Sequence, residues 1–368
     1  MLIFSLFFAC KPATSTDDSA GVEPEPYLAP AETGPWAVGT DEGTLIRDSG
    51  EEEAVQVWYP AEQEDDGSLP RYSYDGLLQG MALDASTPDC SETRPVLVFS
   101  HGSGGIRWQS LFYTELLASR GWVVVAPDHA GNTAFDQDDS RMPEEALLRP
   151  RDVSLAFDWA VDQAAQGGLL EGCVDESAGF AVSGHSYGGY TSMAVAGATL
   201  DIAAMDAYCQ VTPDDWCEIV DLWEADHPGE STADLSDSRA WVSVPMTPAG
   251  AEFFDDGVAN VDIPMAILAG TLDDVTPTDE EARPMFEGLT TTPRALAVVD
   301  GAGHLSFSDV CLLTDTFDEC GDGYLPVDDV HRIAVEVAIP FLDWARGVDG
   351  AREVLPPDEA ALSWTLTE

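Results

Sequence analysis

The stretch Gly179 to Met193, GFAVSGHSYGGYTSM, constrains this chain more than any other. Phe180-Ala181-Val182 is a short apolar run. Gly184-His185-Ser186-Tyr187-Gly188 is a glycine-flanked turn, and Met193-Ala194-Val195-Ala196 continues as a small-residue segment. Strand, sharp turn and helix in that order lift a serine hydroxyl above a sheet edge and set it at a helix N-terminus. The glycines two positions either side of Ser186 let the backbone pass close to its neighbours without a Cβ clash. This is the G-x-S-x-G nucleophile elbow, here with the flanking strand and helix that its mechanism needs.

Around it the chain alternates strands and helices. Ala54 to Pro60 alternates like a strand, and the acidic stretch Glu62 to Gly67 reads as a loop. Pro95 to Ser100 and Trp122 to Asp128 are continuous apolar runs, as expected of strands buried on both faces of a parallel sheet. The first opens into His101-Gly102-Ser103-Gly104-Gly105 and an amphipathic helix through Leu111, Leu116 and Leu117. Helices are expected from about Arg151 to Gln166 and from Val330 to about Arg346. Further strands are expected at Ala240 to Val244, Pro264 to Ala269 and Arg294 to Val299. The pattern predicts a three-layer α/β fold with a mostly parallel central sheet flanked by helices. Residues 200–236 form an insertion longer than an ordinary connection, carrying Trp216, Trp223 and a close cysteine pair. It reads either as a partial lid over the site or as surface elaboration.

A length of 368 residues allows one large domain or two small ones, and 45% apolar content is ample for a core. With 68 acidic against 15 basic residues the formal charge is −53, a hydrated surface that repels nucleic acid and anionic membrane. Lys11 is the only lysine, so Schiff-base, pyridoxal-phosphate and P-loop chemistry find no lysine in the folded body. No H-E-x-x-H, C-x-x-C or EF-hand spacing occurs, and no metal or cofactor is expected. The N-terminal MLIFSLFFAC is too short to span a bilayer and reads as a lipoprotein-type signal, residues 1–10, with Cys10 as the lipidated first mature residue. No basic residue precedes its apolar run, and Phe7 and Phe8 match the usual lipobox poorly. A misannotated start or an ordinary signal peptide is the alternative. Residues 11–35 read as an acidic Pro/Ser/Thr-rich tether, and 36–368 as the catalytic domain. The chain is thus expected to be exported, either to the cell envelope as a lipoprotein or by secretion, with no transmembrane span in its mature form. Six further cysteines suit disulfides in an exported protein. Short separations favour Cys209–Cys217 and Cys311–Cys320, leaving Cys90–Cys173.

Five segments carry a family resemblance: Phe99-Ser-His-Gly-Ser-Gly-Gly105, Val125-Ala-Pro-Asp-His-Ala-Gly-Asn-Thr133, Gly184-His-Ser-Tyr-Gly-Gly189, Gly270-Thr-Leu-Asp-Asp-Val-Thr-Pro277 and Gly301-Ala-Gly-His304. In order and content the chain resembles α/β-hydrolase serine esterases. Within them it is similar to the group of platelet-activating-factor acetylhydrolases and predicted dienelactone hydrolases, and more distantly to cutinase-like polyester hydrolases. True dienelactone hydrolases use a cysteine nucleophile. Position 186 is serine, so that activity is discounted.

An acyl-transfer site needs a nucleophile, a base, an orienting acid and an oxyanion hole. Ser186 is the nucleophile. Of six histidines, His304 lies in a glycine-containing loop after the last strand, where the family's base sits. The order Ser…Asp…His asks for a carboxylate after the preceding strand, and Asp273 and Asp274 both qualify. The resemblance implies Asp273, from the pattern Gly-x-x-Asp-x-x-x-Pro. One oxyanion donor is the N–H of Tyr187, and the resemblance points to Ser103 for the other. Asp128, Arg149 and Asp152 read as buried ion pairing or capping. Phe253, Phe254 and the insertion tryptophans read as core, with an acyl or alcohol site as the sharper option. In this fold Cys90 and Cys173 should meet at the non-catalytic end of the sheet. The expected function is hydrolysis of carboxylic esters, with short acyl groups fitting the resemblance. A small-molecule ester or lipid is the expected partner. The alternatives are a lid-gated lipase or polyester hydrolase and a surface lipoprotein that only binds.

Overall fold

A computed structural model describes residues 27–368. The signal at 1–10 with Cys10, and the tether up to residue 26, lie outside the described residues. In chain order the elements are β1 (Ala37–Ile46), β2 (Glu52–Ala61), β3 (Val96–Ser100), α1 (Leu111–Ser119), β4 (Val123–Pro127), α2 (Met142–Gln163), β5 (Phe180–His185) and α3 (Tyr187–Val195). The insertion follows as β6 (Leu200–Asp201), α4 (Ile202–Cys209), α5 (Glu218–Asp226) and β7 (Thr232–Ala233). The chain closes with β8 (Ala240–Met246), α6 (Ala251–Phe254), β9 (Met265–Gly270), α7 (Ala282–Gly288), β10 (Arg294–Val299), α8 (Val310–Leu313), α9 (Val327–Ala345) and β11 (Leu362–Thr367).

Nine strands form one sheet in the order β1-β2-β4-β3-β5-β8-β9-β10-β11. From β4 to β10 every pairing is parallel, while the β1–β2, β2–β4 and β10–β11 pairings at the two edges are antiparallel. The apolar strands bury both faces because alternate residues meet different helices. Leu97, Phe99 and Val124 pack against α1 and α9, whereas Val96, Val98, Val123 and Val125 pack against α2. Ile267 and Val298 face the α3 and α7 side. Register brings the carboxyl ends of neighbouring strands level, Ser100 beside Gly184 and Val299 beside Gly270, so the loops that follow them open at one edge. In open α/β sheets that edge is where ligands bind.

Several boundaries differ from expectation. Within the described residues, the chain is already docked on the body at Tyr27, ahead of Trp36. Tyr27 Oη donates to Asp343 Oδ2 at 2.7 Å, and the Arg120 guanidinium donates to the carbonyls of Leu28, Ala29 and Glu32. Helix α2 starts at Met142, well before Arg151, with Pro143 in its first turn, where the missing N–H would have had no partner. Pro150 lies inside it, buried, so tertiary packing overrides a strong local breaker. Strands β1 and β11 add to the expected elements: exposed Asp41, Glu42 and Thr44 break the pattern of β1, whereas β11, Leu362-Ser-Trp-Thr-Leu-Thr367, alternates apolar and polar residues as an edge strand does.

The three pairs Cys90–Cys173, Cys209–Cys217 and Cys311–Cys320 are disulfides with Cα–Cα distances of 4.5, 5.7 and 5.1 Å. Cys90 precedes β3 and Cys173 precedes β5, so this bridge sits at the end of the sheet opposite the loop cluster. Three disulfides fit a protein of an oxidising compartment. Among the described residues no helix is long and apolar enough to cross a membrane.

Candidate active site

Ser186 stands between β5 and α3 with φ 59° and ψ −119°, a conformation that costs a non-glycine residue about 1–3 kcal/mol and is concentrated at functional sites. The surrounding packing enforces it. A Cβ at position 184 would collide with the carbonyl oxygens of Gly188 and Ser100, and one at 188 would land on the Ser100 carbonyl. The Ser186 N–H donates to the Met246 carbonyl at the end of β8, 2.9 Å away.

Asp273 follows β9 and His304 follows β10, and the fold brings them together. His304 Nδ1 lies 2.9 Å from Asp273 Oδ2, with both residues buried. Asp273 Oδ1 accepts from the N–H groups of Val275 (3.0 Å) and Thr276 (2.7 Å). The Thr276 hydroxyl is 2.8 Å from Asp273 Oδ2 and 3.0 Å from His304 Nδ1. Burial pushes the Asp273 carboxyl up, but the His304 contact and the Thr276 bonds outweigh it and hold the group below its ordinary range. The neighbouring Asp274 is exposed. With Nδ1 engaged by Asp273 and Thr276, Nε2 is the His304 nitrogen left for other partners. Ser186 and His304 line one cavity of about 600 Å³. Among the described residues no hydrogen bond closes between Ser186 Oγ and His304. Such contacts tighten only when substrate is bound in many hydrolytic sites.

The glycine-rich loop after β3 is held from several sides. His101 Nδ1 is 2.7 Å from the Gly102 carbonyl, which also accepts from the Gly105 N–H at 3.0 Å. Because the Gly102–Ser103 peptide is planar and trans, fixing that carbonyl turns the Ser103 N–H to the opposite side. The Tyr187 N–H is the first orphan donor of α3. Its side chain turns away from the cavity and donates from Oη to the Met142 carbonyl at 2.7 Å.

Behind this loop is a buried ionic network. Arg47 bridges Glu53 (2.6 Å), Glu145 (2.9 Å) and Asp152 (2.6 Å). Glu53, His129 and Asp152 are close enough to share a metal ion, but the Arg47 guanidinium already bridges both carboxylates. Burial raises the pKa of Glu53 and Asp152 and lowers that of His129. Ser100 Oγ, His129 and Asp152 are linked at 2.8 Å each, the same residue types as a triad, yet all three are fully buried and none lines the cavity. Asp128 pairs with Arg107 at 2.7 Å. Arg149 has no carboxylate partner among the described residues. It donates to the His101 carbonyl and to Asn132, and lies over the Tyr187 ring at 4.5 Å.

The cavity walls come from parts of the chain other than the insertion. No residue of 200–236 lines the Ser186 cavity. The insertion packs beside α2, and Trp216 and Phe253 line a separate hollow of about 230 Å³. Phe254 is core, stacked on Tyr190. The mouth at Ser186 is instead rimmed by Leu77, Phe135, Val275, Leu313 and Phe317, between 42% and 67% exposed. Sequence reasoning missed this rim, Thr276 and Gln109. An aspartate followed three residues later by threonine is a local turn pattern that could have drawn attention to Thr276. The others carry no spacing signal.

The Chlorophyllase family model matches residues 79–213, a segment that includes the Ser103 loop and the elbow. "Cutinase 2" of Thermobifida cellulosilytica is 26% identical over 237 residues, 64% of this chain and 69% of that protein. "Cutinase cut1" of Thermobifida fusca is 26% identical over the same length, which spans only 56% of that relative. The chain has the α/β-hydrolase fold. Its likeness to these proteins supports an ester hydrolase.

Proposed function

We propose that the protein is a serine carboxylic-ester hydrolase working through a Ser186 acyl-enzyme. The observation that carries the reading is the buried Asp273–His304 pair, whose His304 lines the same cavity as Ser186. Ser186 Oγ attacks the ester carbonyl carbon while His304 Nε2 takes the hydroxyl proton. The N–H groups of Ser103 and Tyr187 receive the charge that develops on the carbonyl oxygen. His304 then gives its proton to the departing alcohol, and Asp273 keeps the imidazole oriented throughout. A water deprotonated by His304 cleaves the acyl-enzyme, releasing the acid and restoring Ser186. Asp273 rather than Asp274 is the acid in this reading.

The resemblance to platelet-activating-factor acetylhydrolases favours short acyl groups. The exposed apolar rim favours a second reading, esters presented on an apolar polymer or lipid surface, reached without a lid from residues 200–236. Export, and a lipid anchor through Cys10, remain part of the proposal. A fluorophosphonate probe tests the chemistry: one adduct, mapped to Ser186, with parallel loss of esterase activity is expected. Folded protein that takes up no probe returns the reading to a surface protein that only binds.

A further inference from the structure

Three loops must hold their places for this chemistry: the one carrying Ser103, the elbow, and the one carrying His304. Two side chains in series, Gln109 and His185, join them. The Gly102 N–H donates to Gln109 Oε1 at 3.1 Å. Gln109 Nε2 lies 3.0 Å from His185 Nδ1, and His185 Nε2 lies 2.9 Å from the backbone carbonyl of His304. The donors and acceptors permit one arrangement. Gln109 Oε1 accepts, so its amide nitrogen donates, and His185 Nδ1 must accept. The remaining proton of a neutral imidazole then sits on Nε2, facing a carbonyl that can only accept.

The surroundings fit this arrangement. His185 is buried, and burial pushes its pKa down to about 3, which keeps the ring neutral. A Cβ at Gly105 would collide with Gln109 Oε1, and one at Gly102 would come within 3.2 Å of His185 Nδ1. The Gln109 backbone is itself fixed, its N–H donating to Ile106 at 2.9 Å and its carbonyl accepting from Asp309 at 2.7 Å.

We infer that Gln109 is a positioning residue, whose amide sets the His185 tautomer and so ties the Ser103 loop to the backbone of His304. This inference rests on the Ser186–His304 reading above. Hydrophobic Gln109→Leu keeps the size of the side chain but loses both bonds. Gln109→Glu keeps the acceptor for Gly102 and turns a second acceptor toward His185 Nδ1. His185 then keeps a partner at both nitrogens only if the Glu–His185 pair binds a proton.

The test combines kinetics with nitrogen NMR of His185. In wild type, Nδ1 is expected to be unprotonated and Nε2 protonated. Gln109→Leu is expected to lower kcat on the order of 10- to 100-fold, with a much smaller change in KM, as for other displacements of a catalytic group. Gln109→Glu is expected to add an ionisation to the pH profile of kcat/KM that wild type lacks. In a Gln109→Leu/His185→Phe double variant the losses should fall short of additive, because both act through one strap. Wild-type kcat and an unaltered pH profile in both Gln109 variants would overturn the inference. An Nδ1–H tautomer in wild type would do the same, even if the variants failed to fold. Hydrolysis that survives Ser186→Ala is a separate result, which would overturn the underlying reading instead.

Discussion

At the scale of single residues, the account turns on which carboxylate holds His304. Asp273 is buried and bonded to Nδ1, whereas Asp274, one position on, is exposed. Asp273→Asn should lower kcat on the order of 10⁴-fold with KM little changed, since the imidazole loses its tautomer and its partner. Asp274→Asn should stay close to wild type. Steady-state kinetics of the two variants decides the matter, and equal losses would contradict the assignment. Ser186 and His304 stood out in the sequence because glycines mark their loops. Asp273 and Asp274 share one turn, and only the course of that turn separates a buried carboxylate from an exposed one. Gln109 was invisible, because its partners at 102 and 185, and the His304 carbonyl that His185 reaches in turn, meet only in the folded chain.

At the scale of elements, the strands buried on both faces were legible as unbroken apolar runs, and the helices between them by spacing. Edge strand β1 was not, because exposed Asp41, Glu42 and Thr44 break its pattern, whereas the apolar/polar alternation of β11 was there to be read. The start of α2 was hidden by Pro150, which tertiary contacts tolerate. One helix end makes a testable claim. Asp309 accepts from the Leu111 N–H at the N-terminus of α1, while its other oxygen is buried without a hydrogen bond. Burial pushes its carboxyl up to about 7, and the backbone bonds from Leu111 and Phe112 offset this only in part. A carboxyl whose folded pKa is raised contributes stability below its unfolded value, near 4, and loses it as pH rises through 7. Asp309→Asn cannot titrate. Its melting temperature relative to wild type should therefore climb between pH 4 and pH 8, by the equivalent of up to about 4 kcal/mol. A difference flat across that range would contradict the buried-acid assignment.

At the scale of the whole molecule, the sheet gathers the loops after β3, β5, β9 and β10 at one edge, and the disulfide Cys90–Cys173 secures the other. Fold class was readable because alternating strands and helices leave few architectures. The shape of the cavity mouth was not, since Leu77, Phe135, Val275, Leu313 and Phe317 come from separated loops with no common spacing. On the proposed reading, a molecule of net charge −53 with an apolar rim around Ser186 would suit neutral, apolar esters better than anionic ones. The most direct test is hydrolysis of p-nitrophenyl esters, from acetate to palmitate, by wild type and by Ser186→Ala. The account predicts turnover by wild type and its loss in Ser186→Ala at every chain length. A preference for short chains would support the small-acyl reading, and a rise toward long chains the apolar-surface reading. Turnover that survives in Ser186→Ala would contradict the account at its centre.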